Sequence, residues 1–306
     1  MSGAAVDLGD AVPVADELIA AGDLPRALSV LRTVLAGVAP ESLPPDPDLA
    51  EACRRYAAVL VCLGETYSAA PYAAYAYGAL RTMPDRDATA ALRAGVVYAF
   101  VLRSTGALAA AAVLYRDLST AVRLRYGPYA RVALASRADL AVTLHLAGEC
   151  VPARQAMHGA YFTHRDAYGP GDPAGIRMLA RFGTMTRDCG DFERAHQYFD
   201  TAKALCARHL PADDPLAREV TALARAGSDT GHACGRPAAH PGADVGDLFL
   251  GVFGLPDAGR DAAPSTAAGE RQSSRSEPEE ARPEPGATAT ATFGRLRRAR
   301  SGTPRT

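Results

Sequence analysis

With 306 residues and a formal net charge of −1, the chain is long enough for one large domain or two ordinary ones, and it has no overall charge bias toward nucleic acid or an anionic membrane. No stretch reaches the roughly 18 apolar residues a membrane helix needs, and the early acidic residues Asp7, Asp10, Asp16 and Glu17 argue against a signal peptide. The six cysteines, Cys53, Cys62, Cys150, Cys189, Cys206 and Cys234, form no C-x-x-C pair. Most fall inside predicted helices and read as small, reduced apolar residues of a cytoplasmic protein. Arginine nearly replaces lysine, Lys203 being the only one, which reads as compositional bias.

In chain order, five glycines recur at one constant interval: Gly22, Gly64, Gly106, Gly148 and Gly190. Each is followed five positions later by alanine: Ala27, Ala69, Ala111, Ala153 and Ala195. A fixed period without insertions predicts stacked repeats. Upstream of each glycine the pattern is helical. Seven positions before it sits Ala15, Ala57, Ala99, Ala141 or Gly183, and four before it Leu18, Leu60, Leu102, Leu144 or Thr186. Spacings of three and four place these on one helical face. The glycine ends the first helix in a left-handed cap.

A second helix starts two or three positions later, with Asp23 and Asp191 as N-caps and Pro25 and Pro152 in the first turn. Its inner positions are Leu31, Ala73, Tyr115, Met157 and Phe199, then Val34, Ala76, Leu118, Ala160 and Ala202. Pro47, Pro173 and Pro215 stand at one fixed offset past Gly22, Gly148 and Gly190 and read as loop punctuation before the next helix. The helix from Pro215 to about Ala226 has no following glycine–alanine pair and reads as a capping helix.

This set of positions resembles the tetratricopeptide repeat (TPR) family, in its 42-residue, kinesin-light-chain-like form, over residues ~10–227. The resemblance rests on Gly183…Gly190-Asp-Phe-Glu-Arg-Ala195 and the linker Tyr168-Gly-Pro-Gly-Asp-Pro173, with HEAT and armadillo repeats as the alternative of similar period. It implies an all-α fold: an α-solenoid of five helix-pair repeats with a capping helix over residues 1–231. Composition, not the resemblance, makes residues 232–306 a disordered tail in expectation. Kinesin light chains often carry paired asparagines early in the first helix, where they bind peptide backbone. The matching positions here hold Arg54-Arg55, Val96-Val97, Ala138-Asp139 and Ala180-Arg181, so that ligand chemistry does not transfer.

In a helix-pair solenoid the first helices line the concave surface. Counted back from each glycine, the exposed positions −2, −3, −6, −10 and −13 give Arg54, Arg93, Arg103, His145, Arg177 and Arg187, opposed by Asp16, Glu51 and Asp188. Val61, Val96, Phe100, Val142 and Leu146 supply an apolar floor. The expected partner-binding set is therefore Arg54, Arg93, Phe100, Arg103, Val142, His145, Arg177 and Arg187, suited to an acidic segment through guanidinium–carboxylate pairs. After about residue 231 the composition turns rich in Pro, Gly, Ala, Ser, Glu and Arg. Two islands interrupt it: an apolar one at 245–255, which could dock on the groove, and a basic one at 293–300.

No Walker loop, G-x-S-x-G or H-E-x-x-H motif occurs. Cys206, His209, His232 and Cys234 do not make a recognisable zinc set in the sequence, and neither cofactor nor metal is expected. The expected function is a non-catalytic adaptor binding a protein segment in its groove. The alternative is a peptide- or ligand-responsive regulator acting through a partner protein, with the tail docking on the groove.

Overall fold

The computed structural model describes residues 8–83, 88–239, 248–251 and 255. The chain divides into a unit spanning Met1–Ser265 and a second spanning Thr266–Thr306, which lies outside the described residues together with the basic island at 293–300. Eleven α-helices are described: α1 Leu8–Ala20, α2 Leu24–Val34, α3 Pro47–Cys62, α4 Thr66–Thr82, α5 Ala88–Ser104, α6 Leu108–Tyr126, α7 Arg131–Leu146, α8 Cys150–Tyr168, α9 Pro173–Asp188, α10 Phe192–His209 and α11 Pro215–Arg225. They make five antiparallel pairs and a final helix. Each packs on its neighbours in sequence, and first helices also touch one another, α1 on α3, α3 on α5, and α11 on α9. Among the described residues no strand forms and no helix is long and apolar enough to cross a membrane.

The repeating glycine does what its position demands. Gly22, Gly64, Gly106, Gly148 and Gly190 have φ of +77°, +82°, +88°, +80° and +87°. Each closes a Schellman motif. The N–H one residue beyond donates back to the carbonyl of Leu18, Leu60, Leu102, Leu144 or Thr186, at 2.8–3.1 Å. So the residue four before the glycine serves twice, packing with its side chain and capping with its carbonyl. Asp23 and Asp191 then cap α2 and α10, accepting from Arg26 and Arg194. Pro47, Pro173 and Pro215 are not loop residues: each is the first residue of its helix, behind the caps Asp46, Asp172 and Asp214. A proline fits there because its missing N–H would have no helical partner.

The core runs between the two helices of each pair. Ala15, Ala57, Ala99 and Ala141 on first helices, and Ala27, Ala69, Ala111, Ala153 and Ala195 on second helices, are all fully or almost fully buried. Small side chains let the helix axes approach. The last repeat shows the compensation: its inner residue is the bulky Phe199, and the facing position shrinks to Gly183, where an added Cβ would stand 3.1 Å from the ring.

Past α11 the described chain continues as a strap over 226–239. Gly235 N–H donates to the Gly148 carbonyl (2.9 Å), Ala238 N–H to Leu146 (2.7 Å), and Asp229 N–H to Asp188 Oδ1 (3.1 Å). A Cβ on Gly148 would meet the Arg236 backbone at 2.5 Å, whereas one on Gly64 would meet nothing within 4 Å. Gly64→Ala therefore isolates the backbone strain of a left-handed residue, about 1–2 kcal/mol. Gly148→Ala carries the same strain and also displaces the strap. Urea unfolding of the two variants should rank Gly148→Ala as the more destabilised; equal losses would mean that the strap adds nothing to stability.

Candidate functional site

The expected groove residues fall into two groups. Arg54, Phe100, Arg103 and His145 are buried rather than exposed. Arg54 is turned onto Glu51 at 3.1 Å, and the Arg103 guanidinium lies over the Phe100 ring, 4.9 Å from its centroid. These side chains are covered because neighbouring repeats and later chain close over them, which a period within one repeat cannot register. Val142 and Arg187 are half-buried, with Arg187 donating to the carbonyls of Leu223 and Ala226 at 2.7 and 2.9 Å.

Arg93 and Arg177 do converge, on the chain's own apolar segment. Arg177, from α9, donates through Nη2 to the Leu248 carbonyl at 3.0 Å and lies over the Phe249 ring at 4.9 Å. Arg93, from α5, donates through Nε to the Leu255 carbonyl at 2.9 Å. Between them stands Asp139 of α7, fully buried. Its Oδ1 accepts the Phe249 N–H at 2.7 Å and its Oδ2 the Leu250 N–H at 3.0 Å. Leu248, Leu250 and Leu255 are buried, and all three join the core built by the first three repeats and the start of α7. Three successive first helices thus hold one segment by its main chain.

Asp139 is not among the expected groove residues. It lies nine before its glycine, adjacent to the −10 position but not itself in the set taken as exposed. It is also one of the two positions matching the paired asparagines of kinesin light chains, and here a carboxylate takes up backbone N–H groups. Burial pushes its pKa up to about 6, against the opposing pull of Arg103, the two N–H groups and Arg177. The Arg103 guanidinium, itself buried, makes no hydrogen bond among the described residues and acts on Asp139 as a counter-charge.

A second cluster gathers where α8 begins and α9 ends. One donor atom each from His145, Cys150, Cys189 and His232 lie within 4.8 Å of one another. The His232 Nε2 stands 3.3 Å from Cys150 Sγ and 3.8 Å from both Cys189 Sγ and Cys234 Sγ. His145 stacks on His232 with centroids 4.2 Å apart and points its Nε2 toward Asp188 at 3.9 Å. Of this cluster, the sequence singles out only His232 and Cys234 as candidate ligands. Cys206 is elsewhere, buried in the core with Ala202 and Val220. The signal that could have found Cys150 and Cys189 is positional: no other repeat turn has cysteine at these two places, two after or one before the glycine.

No protein-family model matches the sequence, and no curated protein matches it. Solved structures do match. A Podosopora anserina protein described as a kinesin light chain with nearly identical TPR-like repeats superposes with a TM-score of 0.55 at 15% identity, over 66% of this chain and 95% of that one. BtubC (BKLC) from P. vanneervenii superposes at 0.53 and 20% identity, over 66% and 80%. The fold is a TPR-like repeat solenoid. At these identities the likeness carries the arrangement of helices and no ligand. The segment on Asp139 and the thiol–imidazole cluster are features of this TPR-like chain's own residues.

The Asp139 carboxyl titrates higher in the fold than the ordinary value of 3.8, so the fold favours its protonated form. Its contribution is present below about pH 4 and is lost as pH rises through about 6. Compared with Asp139→Asn, the wild-type chain should lose up to about 3 kcal/mol between those limits. Parallel urea titrations at pH 4, 5, 6 and 7 read this out; curves that stay parallel would contradict it.

Proposed function

We propose that this chain is a non-catalytic protein-interaction scaffold whose first helices take a short, bent, apolar segment of a partner, and that its own 248–255 segment competes for that face. The observation behind the reading is the pair of consecutive N–H groups on Asp139. A buried carboxylate with two lone-pair-bearing oxygens is costly unless each finds a donor. The segment bends at Phe249 and Leu250, which turns two consecutive N–H groups to one side, and such a bend presents these donors whatever its side chains. Arg177 and Arg93 add carbonyl recognition on either side, and the leucines supply burial.

This favours the regulated form of the scaffold over an open adaptor. It also shifts the expected ligand away from acidic segments. Arg54 is engaged by Glu51, Arg187 by Asp188 and two carbonyls, and Arg93 and Arg177 by main-chain carbonyls of the segment. What the face reads is backbone plus alternating apolar side chains, Leu248 and Leu250 inward with Phe249 against Arg177. The unpaired state of all six cysteines accords with a reducing compartment such as the cytoplasm.

The test uses the full chain carrying Leu248→Asp and Leu250→Asp, which should clear the face, and a fluorescent peptide of residues 245–257. The peptide should bind this variant at least tenfold more tightly than wild type, and adding Asp139→Ala should remove the gain. Equal binding by wild type and the cleared variant would refute self-competition. Binding indifferent to Asp139→Ala would place the peptide elsewhere and remove the face from consideration.

A further inference from the structure

We propose that Cys150, Cys189, His232 and Cys234 form a tetrahedral structural zinc site that fastens the 226–239 strap to the last two repeats. Tetrahedral zinc with Zn–S near 2.3 Å and Zn–N near 2.0–2.1 Å places sulfur about 3.5 Å from nitrogen and sulfurs about 3.8 Å apart. The observed Nε2 to Sγ distances are 3.3, 3.8 and 3.8 Å. The Cys189 and Cys234 thiols both lie within hydrogen-bonding reach of Cys150, so the three sulfurs close on one another as well as on the imidazole. Three soft thiolates and one imidazole are a donor set suited to zinc.

The placement explains why ligands so distant in sequence meet. Cys150 is the first residue of α8 and Cys189 caps the end of α9, so each sits beside a repeat glycine, Gly148 and Gly190. Adjacent repeat turns stack, and this brings the two thiols to one edge of the solenoid. The strap supplies His232 and Cys234 from a tight turn, marked by a bridge between Ala233 and Arg236. His145, stacked on His232 and facing Asp188, orients the ring without ligating. Fixing ring orientation in this way is the ordinary work of groups behind a metal ligand.

The strap also needs such a fastening. Between Ala226 and Ala239 it is mostly exposed, contains Gly227, Gly231 and Gly235, and buries no large apolar side chain. A segment of that composition has little burial to offset the entropy of ordering. Four metal bonds supply what burial does not, as in small domains whose order depends on the ion.

The experiment is metal analysis of the full chain purified under reducing conditions without added chelator. We expect about one zinc per chain, the stoichiometry of a single closed site. Cys150→Ser and Cys189→Ser should each lose most of it, while Cys53→Ser and Cys206→Ser keep it. As a measurement independent of those variants, wild-type chain stripped and refilled with cobalt should show thiolate charge-transfer bands and the visible bands of tetrahedral cobalt. Stripping should also open the chain to trypsin at Arg225, where the strap begins; Arg236 is followed by Pro237 and is not a trypsin site. A reduced wild-type chain that neither carries zinc nor binds added zinc or cobalt overturns the proposal. So does zinc retained equally by Cys150→Ser and Cys189→Ser, or a disulfide joining two of the three cysteines in the reduced preparation.

Discussion

The positive-φ glycine after each first helix is the constraint on which the rest of the molecule depends. It lets the chain reverse within one residue while the following N–H bonds back to the carbonyl of the leucine or threonine four before the glycine. The turn therefore has one length in every repeat. A constant turn keeps the helix pairs in register along the whole array, and constant register sets equivalent residues of successive repeats beside each other. Arg93, Asp139 and Arg177 can act on one segment because they come from three consecutive first helices. Cys150 and Cys189 meet because they flank consecutive turns. At Gly148 the same glycine also leaves room for the strap, whose Arg236 backbone occupies the space a side chain would need.

Much of this was legible in the residues, for a physical reason. Packing between helices in a repeat is local, so alanines, leucines and glycines that recur at fixed spacing report it directly. The caps at Asp23 and Asp191 were legible for the same reason. What failed to show was anything made by a non-periodic segment lying across the repeats. Arg103 and Phe100 read as exposed because their own helix faces outward there; their burial comes from other parts of the chain. Asp139 reads as one acidic residue in the middle of a helix, and nothing in the period distinguishes a carboxylate that will accept two N–H groups. Cys150 and Cys189 are separated by nearly a whole repeat, beyond the spacings by which metal ligands announce themselves.

Asp139 and Arg103 form an unusual centre for a small-residue solenoid. A buried pair of opposite charges contributes little net stability when desolvation is set against attraction. Its effect is on specificity: a buried carboxylate lacking donors is costly, so the face above it discriminates strongly between an occupant that brings N–H groups and one that does not. Apolar side chains of Leu248 and Leu250 add burial, and the main chain supplies the donors.

Under the proposed function, that the occupant belongs to the same chain has a consequence for any outside partner of this face. A tethered segment competes at an effective concentration on the order of millimolar rather than at the concentration of the protein. A free segment of equal intrinsic affinity is shut out until it reaches that concentration itself. One present at micromolar levels needs roughly a thousandfold advantage, about 4 kcal/mol, which must come from contacts beyond those Asp139, Arg177 and Arg93 already make. Dilution of the protein would leave this threshold unchanged, so the strength of the block is a property of the chain and not of its abundance.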